Sequence, residues 1–234
     1  MGFFDFLEGM AGYEDGAQPI TRLNKRHARI VAPFAAELAG ARVLDLAAHD
    51  GRWSYALAAA GAAQVVGVEG RQELIDRFAA YPDATLRAKV ELRRNDIFAE
   101  MEAEAARGAR YDAVAVFGIL YHVMDHFRLF QLIRRLSPRL VIVDSEFMTR
   151  PAPMIQLVRE RTDNVLNAIP QVEGQEIAIK GVPSFAAMEA IAEALGYGVT
   201  WIDWSDLPEG QRMGVRDYFR TTNMCRGSCV LRPL

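Results

Sequence analysis

The sequence predicts an α/β fold built around a parallel β-sheet, and two observations carry this prediction. Residues 43–46 form a short, branched apolar run, which is typical of a strand buried on both faces. Small residues lead from this run to Gly51, and a helical pattern follows over residues 52–60. Strands and helices then alternate through residues 43–144, an order that requires a parallel sheet with right-handed crossovers.

The first strand and the helix after it also predict a binding site. A strand, a tight turn of small residues and a helix direct backbone N–H groups and a helix N-terminus into one crevice. A polar or anionic ligand can bind there. Because ligands of open α/β sheets bind outside the carboxyl ends of the strands, we expect residues that follow strands to form the site.

The other elements can be taken in order. Thr21 can cap a helix that Pro33 should kink or divide. The later elements are predicted as a strand over 64–69, a helix over 72–80, a strand over 90–97, a strand within 111–122, a helix opened by Asp125, a strand over 140–144, a helix from Ser184 to Gly196, and strands over 199–203 and 228–232. Prolines interrupt residues 148–183, which hold one short strand candidate at 176–179 and could cover the carboxyl ends of the strands.

Composition limits the class of protein. At 234 residues the chain suits one α/β domain with appendages. The formal net charge of −3 gives no drive toward nucleic acid or acidic membranes. We interpret Cys225 and Cys229 as reduced thiols, which suits a cytoplasmic enzyme, and no apolar run approaches the roughly 20 residues of a membrane span.

The turn after the first strand resembles motif I of the class I S-adenosylmethionine-dependent methyltransferases. That motif has an acidic residue on the strand followed by Gly-x-Gly-x-Gly, and the matching run here is residues 45–51. Gly51 keeps the last glycine, whereas Ala47 and His49 stand at the other two places. The resemblance extends over residues 40–234. It implies a doubly wound, mostly parallel sheet of seven strands whose last strand is antiparallel.

The resemblance also implies a domain organisation. Residues 1–234 are expected to form a single methyltransferase domain, divided into an N-terminal arm and helix (1–40), a cofactor-binding core (41–147), an insertion (148–183) and a C-terminal helix and strand pair (184–234). The first twenty residues either pack on the core or, as is common in this family, form a lid over the cofactor. Arg26 or His27 either belongs to a solvated helix face or reaches the methionine carboxylate of the cofactor.

Two carboxylates are assigned to the cofactor S-adenosylmethionine. Glu69 ends a strand roughly twenty residues beyond the glycine turn, a spacing at which a carboxylate can accept both hydroxyls of a ribose. The alternative for Glu69 is a side chain that faces solvent. Asp96 stands where the family contacts adenine, and a helix N-cap is its alternative role. The predicted cofactor-binding residues are Asp45, Ala47, His49, Gly51, Glu69, Gly70, Asp96, Ile97, Phe117 and Gly118.

His122 is the candidate general base, because it follows the fourth strand at the open end of the sheet and histidine can take a proton near neutral pH. A structural role is its alternative. The run Leu120-Tyr-His resembles one in methyltransferases related to those that modify wobble uridine in tRNA. Tyr121, Asp144 and Glu146 are predicted to contact the substrate. Asp144 and Glu146 alone make a poor site for a hard cation, so no metal is predicted.

The resemblance implies a methyltransferase, and we expect it to act on a small molecule by direct SN2 transfer to oxygen or nitrogen. Alignment of nucleophile, methyl carbon and sulfur is the main requirement of that reaction. The charge argues against a nucleic acid held through many phosphates, but a tRNA- or RNA-modifying enzyme stays open as an alternative. Further alternatives are an NAD(P)-dependent dehydrogenase and a non-catalytic scaffold that binds S-adenosylmethionine. The sequence does not specify the oligomeric state.

Overall fold

The computed structural model describes residues 2–14, 17–164 and 167–234. The strands are β1 (Arg42–Leu46), β2 (Gln64–Glu69), β3 (Val90–Arg94), β4 (Ala113–Phe117), β5 (Leu140–Met148), β6 (Ile155–Arg161), β7 (Ile177–Pro183), β8 (Tyr197–Trp201) and β9 (Met224–Pro233). The helices are α1 (Ala17–Ile30), α2 (Ala35–Leu38), α3 (Arg52–Ala59), α4 (Gln72–Ile75), α5 (Ala84–Arg87), α6 (Ile97–Ala106), α7 (His126–Arg135) and α8 (Phe185–Ala194).

Seven strands form one sheet in the order β3–β2–β1–β4–β5–β9–β8. Strands β1 to β5 run parallel to one another, and β9 runs antiparallel between β5 and β8. This arrangement confirms the predicted doubly wound, mostly parallel sheet with an antiparallel last strand. The strand order reverses between β1 and β4, so the carboxyl ends of these two strands mark the point where ligands of such sheets bind.

Both faces of the sheet are covered by apolar residues. Val43 on β1 belongs to a buried cluster that includes residues of α1 and α3, whereas Leu44 belongs to a second cluster on the opposite face. This alternation follows the two-residue period of a strand. Among the described residues, no helix is long and apolar enough to cross a membrane.

The N-terminal helix differs from the prediction at its start. Thr21 lies inside α1, whose first described residue is Ala17. Pro19 is tolerated in this first turn because backbone N–H groups there have no partner within the helix. Pro33 does divide the segment as predicted: α1 ends at Ile30, and a 3₁₀ turn and α2 follow.

The N-terminal arm packs on the core. Phe4 and Leu7 are fully buried, and the Phe4 ring contacts Trp53 edge-on with 5.0 Å between ring centroids. The Tyr13 hydroxyl donates a hydrogen bond of 2.6 Å to Asp50, beside the turn after β1. Residues 2–14 therefore pack on the core, which was the first of the two alternatives for this segment. Residues 1, 15 and 16 lie outside the described part of the chain.

The insertion contains an antiparallel hairpin, β6 and β7, where the sequence indicated only one short strand at 176–179. Charged residues and exposed apolar residues mix in β6, so its pattern gives a weak strand signal. The hairpin is joined to the loop after β4: the Gly181 N–H donates to the Val123 carbonyl at 2.9 Å, and the His126 side chain bridges the carbonyls of Leu120 and Gly181. The hairpin is thus fixed over the carboxyl ends of the strands.

Candidate active site

A cavity of about 530 Å³ opens at the carboxyl ends of β1, β2 and β4, a size usual for small-molecule sites. The segment that links β6 to β7 forms part of its wall, where Ile169 approaches Gly70 so closely that a β-carbon on the glycine would lie 2.9 Å away. Ten of the predicted site residues line this cavity: Ala47, His49, Glu69, Gly70, Asp96, Ile97, Phe117, Gly118, Tyr121 and His122. The other four do not.

The turn after β1 adopts a backbone that suits glycine although two of its residues are not glycine. Ala47 and His49 have φ of 58° and 57°, in the left-handed region. This conformation costs an L-residue roughly 1–2 kcal/mol. The His49 side chain contacts the Arg52 guanidinium and lies 3.4 Å from the Asp50 carboxylate, and these contacts hold it in place. The chain thus keeps the turn geometry of motif I without its first two glycines.

Gly51 has a structural role in this turn. Its φ is 79°, and a β-carbon at this position would lie 2.5 Å from the Phe78 ring. Gly51 forms the N-cap of α3 and does not line the cavity. Its predicted contact with the cofactor is therefore corrected to support of the turn.

Glu69 is oriented by two backbone groups. Its carboxylate accepts the His49 N–H at 2.9 Å and the Arg71 N–H at 3.0 Å, one on each oxygen. The residue is 6% exposed and lines the cavity. A carboxylate has about four acceptor positions, so each oxygen can still accept a ligand hydroxyl. This geometry fits the ribose of S-adenosylmethionine.

Asp96 has the capping role considered for it. It is the N-cap of α6, and its Oδ1 accepts the N–H groups of Phe98 and Ala99 at 2.9 and 3.1 Å. It also lines the cavity together with Ile97. Because both cap bonds use Oδ1, the cap is compatible with a ligand at Oδ2.

Asp45 lies beneath the turn and does not line the cavity. Its side chain is directed toward α3, where it accepts the Ser54 hydroxyl at 2.7 Å. Burial raises the pKa of Asp45 to about 7, and the nearby Glu69 acts in the same direction. Its predicted direct contact with the cofactor is thus corrected to a contact between β1 and α3.

His122 forms a pair with a residue of the hairpin. Its Nδ1 lies 3.0 Å from each oxygen of Glu160, and its side chain is 8% exposed. A carboxylate can only accept, so Nδ1 carries the proton and the neutral ring keeps a lone pair on Nε2. Burial lowers the pKa of His122, although Glu160 acts to raise it, so the ring is neutral at neutral pH. A neutral imidazole held in this way can act as a general base.

Glu160 is itself held by three groups. Lys180 Nζ lies 2.9 Å from one oxygen, and the Ala168 N–H donates to the other at 2.9 Å. Burial acts to raise the pKa of Glu160, but the hydrogen bonds from Lys180 and His122 outweigh this effect and the pKa stays below its usual value. Glu160 is therefore ionised at neutral pH. Lys180 also lies 5.1 Å from the centroid of the Tyr121 ring.

Asp144 and Glu146 do not line the cavity, because β5 runs to Met148 rather than ending at Asp144 as predicted. Asp144 is fully buried in the strand. Burial acts to raise its pKa, but Arg226 and Arg26 outweigh this and hold it well below its usual range. The predicted substrate contact is thus corrected to an ion pair with two arginines, while Glu146 lies 3.5 Å from the exposed Arg220.

Three residues around the cavity were missed from the sequence: Glu160, Lys180 and Arg226. Apolar and polar residues alternate only weakly along β6, so this strand was not predicted. The direction of the Glu160 side chain was therefore not predicted either. Lysine occurs at only three positions in this arginine-rich chain, which is a signal that could have drawn attention to Lys180. Arg226 precedes the predicted last strand by two residues, and the longer β9 brings it opposite Glu146. Among the described residues, no cluster of three His, Cys, Asp or Glu could hold a metal ion.

The strand order, the antiparallel β9 and the cavity at the switch point together define a class I S-adenosylmethionine-dependent methyltransferase. The sequence matches the family described as "Methyltransferase domain" over residues 20–177, more than half of the chain, and the protein belongs to that family. This confirms the predicted enzyme class and its cofactor, S-adenosylmethionine. It also shows that the alternative of a nicotinamide-dependent dehydrogenase is wrong.

Individual relatives are more distant. The tRNA U34 carboxymethyltransferase of Marinobacter nauticus is 34% identical over 102 residues, which are 41% of this chain and 29% of that protein. The chain thus spans less than a third of the length of this relative. The N-terminal domain of EvdMO1, solved in the presence of SAH and D-fucose, has a TM-score of 0.68 at 21% identity, covering 97% of this chain and 93% of that one.

A second solved structure gives a similar result. The DhpI–SAM–HEP complex has a TM-score of 0.51 at 20% identity and covers 98% of this chain and 91% of that chain. At these identities the likeness shows a shared fold. The ligands named for these relatives are therefore properties of those proteins only.

Proposed function

We propose that the protein transfers the methyl group of S-adenosylmethionine to an oxygen or nitrogen atom of a small molecule, with His122 as the general base. The observation that carries this proposal is that His122 lines the cavity and is hydrogen-bonded to Glu160. Glu160 fixes the ring and its tautomer, so that Nε2 is the atom able to take a proton from the acceptor.

The cofactor is assigned to one side of the cavity, which we call the cofactor wall: Ala47, His49, Glu69, Gly70, Asp96 and Ile97. Glu69 would accept the ribose hydroxyls, since backbone N–H groups already orient its two oxygens. Oδ2 of Asp96 would accept the adenine amino group. Phe117 and Gly118, which also line the cavity, would border the reacting end. When bound, S-adenosylmethionine supplies a methyl group on a positively charged sulfur.

Another part of the cavity lining, which we call the acceptor wall, consists of Tyr121, His122 and Arg226 together with the hairpin residues that contact them, Glu160 and Lys180. Because the pKa of His122 is lowered by burial, the base is in its active form at neutral pH. The hairpin contributes to the cover of this side through the contacts of Glu160 with His122 and of Lys180 with Tyr121. Alignment of acceptor and donor then accounts for most of the rate enhancement, and proton removal for the remainder.

A small molecule is favoured over a nucleic acid by the cover that the hairpin places on the cavity and by the net charge of −3. One observation supports the second candidate, methylation of tRNA: the similarity to the tRNA U34 carboxymethyltransferase of Marinobacter nauticus. An extended positive surface would be expected for that substrate.

Two assays test the proposal. Calorimetric titration with S-adenosylmethionine, S-adenosylhomocysteine and NAD should show binding of the first two only. Transfer of a labelled methyl group should then be measured with a small-molecule library and, in parallel, with total tRNA. Label in the small-molecule fraction supports the proposal, label in tRNA supports the second candidate, and binding without any transfer would support a non-catalytic scaffold.

A further inference from the structure

The acceptor wall carries an excess of buried positive charge. Arg26 and Arg226 share the single carboxylate of Asp144: Arg226 Nε and Nη2 lie 2.7 and 2.6 Å from Oδ1, and Arg26 Nη2 lies 2.8 Å from the same oxygen. The other oxygen accepts the hydroxyls of Tyr218 and Ser228, which are neutral donors. Two guanidinium groups are therefore balanced by one carboxylate.

Neighbouring ion pairs do not remove this excess. Arg22 is engaged by Asp217 through two hydrogen bonds of 2.7 and 2.6 Å, and Lys180 lies 2.9 Å from Glu160. Each of these pairs is neutral by itself. One positive charge is thus left over beside the cavity.

The excess charge borders the cavity, where a ligand can reach it. Arg26 and Arg226 line the cavity, although they are only 7% and 6% exposed. Among the described residues, the buried Nε of Arg26 has no hydrogen-bond partner. A buried donor without a partner destabilises a protein, so an unsatisfied group beside a cavity calls for a functional explanation.

The position of Arg226 distinguishes it from the cofactor wall. Its Nη2 lies 3.6 Å from the place of a β-carbon on Gly118, at the end of β4, and its guanidinium lies 5.8 Å from the Tyr121 ring centroid. Glu69 ends β2, and β1 separates β2 from β4. Arg226 also acts electrostatically on His122, the residue next to Tyr121, so its charge lies near the candidate base.

We propose that Arg226, with Arg26 and Tyr121, binds a carboxylate carried by the methyl acceptor. This inference rests on the proposed function. S-adenosylmethionine adds a sulfonium and an ammonium group against one carboxylate, so its binding raises the net positive charge of the cavity instead of lowering it. The planar fork of an arginine matches the two oxygens of a carboxylate. An acidic acceptor would thus be held with its reacting atom near His122.

Benzoate and its neutral counterpart benzamide are probes of this subsite. Each is titrated calorimetrically into the protein saturated with S-adenosylhomocysteine. We expect benzoate to bind at least about tenfold more tightly than benzamide, the factor that one good charge-assisted hydrogen bond provides. Arg226→Gln should abolish the preference. Arg232→Gln is the matched control on the same strand, because Arg232 pairs with the exposed Glu37 away from the cavity and the preference should persist.

The affinity for S-adenosylhomocysteine distinguishes a failure of this inference from a failure of the proposed function. Equal binding of benzoate and benzamide, or of neither, to a wild-type protein that binds S-adenosylhomocysteine overturns the inference and leaves the proposed function standing. If Arg226→Gln weakens S-adenosylhomocysteine more than about threefold, the carboxylate bound here is the cofactor's own and the inference is wrong. Failure of the wild type to bind S-adenosylhomocysteine overturns both.

A second variant covers the case in which Arg226→Gln does not fold. Arg226→Lys keeps a positive charge beside Asp144 but loses the two-pronged geometry. It should reduce the preference for benzoate by at least about threefold while binding S-adenosylhomocysteine normally. An unchanged preference in this folded variant would contradict the assignment to Arg226.

Discussion

The two walls of the cavity are built in different ways. On the cofactor wall, Glu69 is held by the backbone N–H groups of His49 and Arg71, so its support comes from the β1 turn and from its own strand end. On the acceptor wall, His122 depends on Glu160, 38 residues away on the hairpin, and Arg226 comes from β9. The first wall follows from the βα units of the fold, whereas the second requires the insertion and the last strand to be in place.

This difference indicates which parts of the enzyme can change. The cofactor wall consists of turns that the parallel sheet itself positions, so it suits a ligand common to the whole family. The acceptor wall is assembled from separate segments and can be altered without rebuilding the sheet. Variants on the two walls should therefore have separable effects, on cofactor binding at one and on turnover at the other.

The largest effect is expected on the acceptor wall. His122→Ala should lower the methylation rate by about 10²–10⁴-fold, the range that general-base catalysis contributes. The rate is measured under single-turnover conditions with the acceptor found by screening. A variant that turns over normally would show that His122 is structural and that positioning alone carries the reaction.

The next effect lies on the cofactor wall. Glu69→Ala should weaken S-adenosylhomocysteine binding by about 1.5–3 kcal/mol, because it removes hydrogen bonds to a charged group. Calorimetry measures the affinity, and circular dichroism checks the fold, since the backbone groups of His49 and Arg71 lose their acceptor. Unchanged affinity in a folded variant would contradict the ribose contact.

Glu160→Gln tests whether the hairpin tunes the base. The Glu160 carboxylate raises the pKa of His122 against the lowering effect of burial, so its neutralisation should lower that pKa further. The rate of the parent enzyme falls as the pH drops through the His122 pKa, because the base becomes protonated. In the variant this fall should occur at a lower pH.

The control for this variant is Glu176→Gln, which neutralises an exposed carboxylate of the same insertion. Its pH profile should match that of the parent. If Glu160→Gln also leaves the profile in place, the carboxylate has no electrostatic link to the catalytic base.

The smallest effects concern the backbone of the turn. Ala47→Gly removes only a methyl group, and the φ of 58° at this position strains an L-residue. Ala47→Gly should therefore raise the free energy of unfolding by up to about 1 kcal/mol in denaturant titrations.

His49→Gly relieves similar strain but loses the contacts with Arg52 and Asp50, so its gain in the free energy of unfolding should be smaller. The variant should bind S-adenosylmethionine at least as well as the parent. A large loss of affinity in His49→Gly would show a specific contact of the imidazole.

The same contrast explains what the sequence could predict. The alternation of strands and helices and the positions of Glu69 and Asp96 follow from local patterns and from spacing along the chain, whereas the antiparallel last strand was implied by the family resemblance. The pairing of Glu160 with His122 depends on the register of the hairpin, to which no short-range pattern points. Asp144 shows a limit of such predictions within a single strand. It was expected at the end of β5, where it would contact a ligand. Because the strand continues for four more residues, Asp144 is instead a buried partner of Arg26 and Arg226.

The separation of the two walls is tested most directly by titrating S-adenosylhomocysteine into Glu69→Ala and His122→Ala side by side with the parent protein. Glu69→Ala should bind roughly 10- to 150-fold more weakly, which corresponds to the expected 1.5–3 kcal/mol. His122→Ala should stay within about threefold of the parent, because a group that acts only in the transition state leaves cofactor binding unchanged. A comparable loss of affinity in both variants would contradict the account and place His122 in the cofactor pocket.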